Sequence, residues 1–159
     1  MAMGIEIERK FLIENDNWRC LAKGVHYRQG YLSKRKERIV RIRTVNGKGY
    51  LTIKGETQGA KRVEYEYEIP EQDCIEMLAM LEKHTAKQVI EKKRYIIKYK
   101  GHIWEIDEFF GGNQGLIVAE IELEFEEQQF EKPDWVGKEV TYDPRYFNSN
   151  LINHPYKKW

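Results

Sequence analysis

Residues Gly4 to Ile13 read G-I-E-I-E-R-K-F-L-I. Successive side chains of a strand point to opposite faces, so Glu6, Glu8 and Lys10 share one side while Ile5, Ile7 and Phe11 take the other. One face carries fixed charge and the other is greasy. An antiparallel strand with one wet face gives the same pattern, so a single occurrence decides little. Its recurrence along the chain is what predicts the fold.

Asn15 or Asp16 can cap a short helix carrying Trp18 and Leu21 and ending at Gly24, a candidate plug or lid. Val25 to Ser33 reads as a second strand, with Gly30 marking a bulge or a close backbone approach. Lys34 to Arg38 (K-R-K-E-R) has no interleaved aromatic residues and reads as a solvated turn between strands. Arg41 and Arg43 then share a face against Val40, Ile42 and Thr44, and Asn46-Gly47 is a hairpin signal. The return strand, Tyr50 to Lys54, sets Leu51 and Ile53 against Thr52 and Lys54. The cleanest alternation is Arg62 to Ile69 (R-V-E-Y-E-Y-E-I), which opposes Arg62, Glu64, Glu66 and Glu68 to Val63, Tyr65, Tyr67 and Ile69.

Pro70 ends that strand. Acidic residues in the first turn and a Cys74, Met77, Leu78, Leu81 stripe predict a core-facing helix over Glu71 to His84. Lys87 to Lys100 and His102 to Phe110 read as a hairpin turning at Gly101, with Lys92 and Arg94 on one face of the first arm. Glu105 and Asp107 oppose Trp104 and Ile106 on the second. Gly111 to Gly115 joins two strands and opens no helix, so it reads as a turn. Leu116 to Glu126 is the last predicted strand, with Glu120, Glu122 and Glu124 on one side. The remainder suggests two short helices over one end.

The 159 residues suit one domain, 1–159, with no Pro/Gly/Ser-rich linker. Lys+Arg at 27 nearly cancels Asp+Glu at 26, leaving net charge +1, so bulk charge predicts neither a nucleic-acid nor a membrane partner. No basic leader followed by an apolar run and no membrane-spanning segment is present, which predicts a cytoplasmic protein. Cys20 and Cys74 match no metal or redox spacing and read as buried thiols. The sequence holds no zinc motif, no histidine-centred triad and no Walker loop. Its aromatic content is compatible with a homodimer, although no stretch demands one.

About eight antiparallel strands with one prominent helix predict an all-β-dominated (α+β) chain whose sheet closes into a barrel. Pattern alone leaves open which face lies inside. The polar faces carry little neutral filler and combine acid clusters with base clusters, an arrangement that repels itself in patches unless a ligand joins them. Grouped carboxylates without His or Cys suit Mg²⁺ or Mn²⁺, and Arg and Lys suit phosphate oxygens. Metal and polyphosphate together satisfy both sets.

In order, Glu6-x-Glu8-x-Lys10, Arg41-x-Arg43, Lys54, Arg62-x-Glu64-x-Glu66, Lys92-x-Arg94, Asp107 and Glu120-x-Glu122-x-Glu124 resemble the signature of the CYTH, or triphosphate tunnel metalloenzyme, superfamily. Arg28-Gln-Gly-Tyr31-Leu32 is similar to its small bacterial members. The resemblance implies a closed eight-stranded antiparallel tunnel with a charged interior and a few external helices. It also implies metal-dependent hydrolysis of a triphosphate, with inorganic tripolyphosphate the leading substrate. Thiamine or nucleoside triphosphate hydrolysis, ATP cyclisation of the class IV kind and a non-catalytic polyphosphate-binding module are the alternatives.

On this reading Glu6, Glu8, Glu120 and Glu122 hold Mg²⁺ or Mn²⁺, supported by Glu64, Glu66 or Asp107. Lys10, Arg41, Arg43, Lys54, Arg62, Lys92 and Arg94 grip the triphosphate. Lys10 with Tyr31 resembles a catalytic lysine/tyrosine pair acting on water, for which activity rises toward alkaline pH.

Overall fold

The computed structural model of the protein describes residues 4–84 and 89–159. Nine strands form one antiparallel sheet: β1 (Ile5–Ile13), β2 (Val25–Arg35), β3 (Arg38–Val45), β4 (Lys48–Gly55), β5 (Lys61–Ile69), β6 (Val89–Tyr99), β7 (His102–Phe109), β8 (Ile117–Glu122) and β9 (Val136–Glu139). The helices are α1 (Glu71–His84) and α2 (Asn148–Asn153). The predicted start of β6 at Lys87 lies outside the described residues.

The strands run in the order β5-β4-β3-β2-β6-β7-β8-β1-β9. The sheet's ends meet where β1 pairs with β5 through Ile5↔Val63, Glu6↔Arg62 and Ile7↔Lys61. Eight strands therefore form a ring. The other half of β1 carries β9 through Phe11↔Glu139 and Ile13↔Val136, past an irregularity in register.

Alternation decides the rest, because each strand must choose which side faces the ring's interior. The charged parity goes in: Glu6, Lys10, Arg41, Lys92, Asp107 and Glu120 are buried. Much of the apolar parity packs outside the ring. Phe11, Trp18, Trp104, Trp135, Ile106 and Ile121 form one outer core, with Trp104 edge-on to Phe11, Phe130 and Trp135. Ile42, Cys74 and Leu78 form a second beneath α1. A Cβ added to Gly49 would stand 2.8 Å from Cys74 Sγ and 2.9 Å from the Ile69 carbonyl oxygen, so only glycine lets α1 dock there. A third cluster lies within the ring, where Tyr31, Ile39, Ile90 and Phe109 meet Tyr146 and Leu151 and close one end.

Several expectations change. Residues 15–24 form successive turns, not a helix: the amides of Arg19 and Leu21 bond back three residues, to Asp16 and Trp18. Trp18 is buried in this segment and Leu21 is exposed. The second strand runs on through Lys34 and Arg35, so the basic turn shrinks to Lys36-Glu37. Strand β8 stops at Glu122 although alternation continues, because the Glu124 amide turns to bond Gln128 Oε1 at 2.7 Å. The tail supplies a ninth strand, one α-helix and short 3-10 turns in place of two helices. Cys20 is exposed, and both thiols are free. Val63, Tyr65 and Tyr67 stay exposed, since α1 covers only part of the outer face.

Candidate active site

The strand order sorts the charges. Adjacent strands β4, β3, β2 and β6 make one wall, which carries Lys54, Arg41, Arg43, Lys92 and Arg94. The opposite wall, β7, β8, β1 and β5, carries Glu105, Glu120, Glu122, Glu6, Glu8, Glu64 and Glu66, with Lys10 and Arg62 as its cations. Between them lies a cavity of about 240 Å³ lined by seven carboxylates and seven cations. The lining is balanced, so a polyanion entering without a counter-cation would unbalance it.

On the cationic wall Arg43 Nη2 lies 3.0 Å from Glu66, while Arg41 Nη2 donates to Thr52 Oγ1 at 3.1 Å. The Nε groups of both arginines are buried without an acceptor. Burial, with Arg41 and Arg94 beside it, pulls the Arg43 guanidinium below its ordinary range. Such buried donors have unmet demand for oxygen acceptors, which phosphate meets bidentately. Tyr27 lies under this group, its ring centroid 5.1 Å from both Arg43 and Arg94.

On the acidic wall Glu6 is met by Lys54 Nζ at 2.9 Å. Burial raises Glu6, but Lys54 and hydrogen bonds with Glu64 and Glu8 hold it well below its ordinary value. Glu64 pays the reverse: burial and the hydrogen bond shared with Glu6 push it up to about 7. Burial and the charges of Glu120 and Glu6 drive Glu8 well above the usual carboxylate range. No cation among the described residues lies within ion-pair distance of Glu8 or Glu122. A wall with more carboxylates than its own cations can neutralise is chemically fitted to a hard divalent ion. Among the described residues no three His, Cys, Asp or Glu side chains converge into a ready-made cage. Mg²⁺ needs none, since it is held through one or two carboxylates, with waters and substrate phosphates completing its shell.

Asp107 does not line the cavity. It is fully buried, taking Lys92 Nζ at 2.7 Å on one oxygen and Arg94 Nε at 2.7 Å on the other. Burial opposes its ionisation, yet Arg94 and Lys92 hold it well below its ordinary value. Its oxygens hold two cations of the opposite wall, so it stands behind the carboxylates that line the cavity. Arg94 also pairs with Glu105 and reaches Glu120 at 3.7 Å. Burial is the main force lowering Lys92 to about 8, with Arg94 adding to it and Asp107 opposing.

Lys10 Nζ donates to the Tyr146 carbonyl at 3.0 Å and stands 3.4 Å from Glu120. Tyr31 Oη instead accepts from Gln29 Nε2 at 2.9 Å, and no hydrogen bond among the described residues joins it to Lys10. Arg62 lines the cavity while its Nε donates to the Gly55 carbonyl at 2.8 Å.

Sequence reasoning omitted Glu105 from the site, along with Thr141, Phe147, Asn148 and Ser149 of the tail, all of which line the cavity. Glu105 shares the parity of Asp107 and was findable on that signal. The tail residues carry no period. Neutral filler is present too, since Gln29 and Thr52 are fully buried.

Comparison with known proteins places these features among relatives. A family model described as the CYTH domain matches residues 4–156. An inorganic triphosphatase of Acetivibrio thermocellus is 54% identical over 157 residues, spanning 99% of each chain. One from Nitrosomonas europaea is 37% identical over 150 residues, covering 92% of this chain and 95% of that one. A crystal structure of an inorganic triphosphatase superposes with a TM-score of 0.62 at 35% identity, covering 92% of this chain and 96% of that chain.

Proposed function

We propose, from the premise that this chain belongs to the CYTH domain family, that it is a divalent-metal-dependent inorganic triphosphatase, splitting tripolyphosphate into pyrophosphate and phosphate. The observation that carries this is the pair of buried, acceptorless guanidinium donors on Arg41 and Arg43, facing carboxylates that outnumber the cations holding them. The relatives at 54% and 37% identity are both named inorganic triphosphatases, which favours inorganic triphosphate over ATP or thiamine triphosphate.

Arg41, Arg43, Lys54, Lys92 and Arg94, with Lys10 and Arg62 opposite, grip the phosphate oxygens and offset the charge that develops as water attacks the terminal phosphorus in line. The water oxygen bonds the terminal phosphorus as the bridging P–O bond breaks, the electrons of that bond leave on pyrophosphate, and the proton lost by water passes to solvent. Glu6, Glu8, Glu64, Glu120 and Glu122 are the residues that would hold Mg²⁺ or Mn²⁺, with Glu66, tied to Arg43, at the edge of that set. When bound, the ion neutralises phosphate oxygens and acidifies a coordinated water. Among the described residues no helix is long and apolar enough to cross a membrane. The free thiols suit the reducing, cytoplasmic setting that we also propose.

Hydrolysis in ¹⁸O-enriched water, followed by ³¹P NMR, tests the reaction. The label is expected in orthophosphate alone. Label in pyrophosphate, or no products at all, would reject it.

A further inference from the structure

Asn148 Oδ1 accepts from Lys92 Nζ at 3.0 Å and from Gln29 Nε2 at 3.4 Å, and the same Gln29 nitrogen donates to Tyr31 Oη at 2.9 Å. The chain of groups has a direction. An ammonium only donates, so Asn148 must turn its oxygen, not its amide nitrogen, toward Lys92. That oxygen can be met by Gln29 only through its NH₂. The other Gln29 N–H then points at Tyr31, whose oxygen must accept, leaving its own proton to be donated elsewhere. Tyr31 borders the cavity. Gln29 Oε1 is left buried without a donor. Flipping the carboxamide brings no relief, because it would set two oxygens 3.4 Å apart.

We propose that Asn148 and Gln29 are a positioning pair that carries the fixed polarity of Lys92 to Tyr31, so that the tyrosine hydroxyl donates into the cavity, onto an oxygen of the bound triphosphate. This rests on the triphosphatase reading above. The tail thus does more than close one end of the ring. It sets which way a hydroxyl on the far strand β2 points. Lys92, and not Lys10, is the lysine connected to Tyr31.

The isosteric Gln29→Glu tests the direction. A carboxylate accepts, so it takes the Tyr31 proton and turns it from the substrate. We expect kcat on inorganic triphosphate to fall about tenfold or more, as in Tyr31→Phe, with KM changed less than about threefold. Combining the two should cost no more than either alone. Asn148→Asp keeps the acceptor and serves the exchange measurement below, whereas Asn148→Leu removes it and loses activity as Gln29→Glu does. Hydrogen exchange of the Gln29 side-chain N–H pair, assigned by its disappearance in Gln29→Glu, needs no turnover. It is expected to be protected in wild type and Asn148→Asp and unprotected in Asn148→Leu.

Retention of kcat by Gln29→Glu while Tyr31→Phe loses it, or free exchange of the Gln29 amide in wild type, would overturn the proposal. A wild type that releases no phosphate from inorganic triphosphate would instead defeat the triphosphatase reading, and the exchange measurement would still decide the polarity.

Discussion

Asp107→Asn keeps the shape of a fully buried side chain and removes its charge. Two cations depend on that charge unequally. Arg94 retains Glu105 and Glu120, whereas Lys92 has Asp107 as its one carboxylate partner among the described residues. Removing one partner of a buried pair costs about 3–5 kcal/mol, and since Arg94 keeps its other partners we expect about 3 kcal/mol. Lys92 already lies near 8, lowered chiefly by burial, with Asp107 pulling the other way. Without Asp107 it falls further, so near neutral pH the amine sheds its proton in place of an uncompensated charge.

The sign of the pH dependence follows. At pH 6 Asp107 is ionised, because its depressed pKa contributes stability above the unfolded carboxylate value of about 3.9, lost only in stronger acid. Lys92 is charged there in the wild type. As pH rises through about 8 the wild-type lysine loses its charge and the ion pair's share of stability disappears, so the two proteins converge. Urea unfolding at pH 6 and pH 9, with the slope m unchanged, reads both quantities. A loss below about 1 kcal/mol at pH 6, or a gap that widens with pH, would refute the reasoning.

Other consequences are simpler. Trp104→Ala empties a fully buried site flanked by Phe11, Phe130 and Trp135, and should cost about 3–5 kcal/mol in chemical denaturation without altering the cavity's charges. Arg41→Ala gives up one hydrogen bond, to Thr52, and the phosphate contact proposed for Arg41. KM for inorganic triphosphate should therefore rise about tenfold or more while the unfolding midpoint moves little, and Arg41→Lys should recover only part of the loss.

Strand β5 shows why so much of the fold was legible. In Arg62 to Ile69 every second residue changes chemistry, and burial follows that period from Arg62 to Tyr65, with Arg62 and Glu64 less exposed than Val63 and Tyr65. Asn46-Gly47 is equally direct: both residues have positive φ, 50° and 74°, as the tight hairpin demands. Recurrence made the two-faced strands legible, but which face lies inside was legible only through the mixed acid and base clusters and the family resemblance, since no strand pattern distinguishes a wet outer face from a lined tunnel.

The failures share a cause as well. Asp107 has the parity of a cavity-lining residue, and its pairing with Lys92 and Arg94 depends on side-chain reach that the sequence does not show. Asn148 and Thr141 act through hydrogen bonds fixed by tertiary placement, which leave no period in the sequence. Trp18 gains its burial from packing edge-on against Tyr95, not from a helical face.

The most direct test of the account is phosphate release from inorganic triphosphate, ATP and thiamine triphosphate side by side, with Mg²⁺, Mn²⁺ or EDTA, for wild type and Glu8→Ala. The account predicts metal-dependent release fastest from inorganic triphosphate, abolished by EDTA and lost in Glu8→Ala. Conversion of ATP to pyrophosphate and a cyclic nucleotide with inorganic triphosphate untouched, or silence on every substrate, would contradict it.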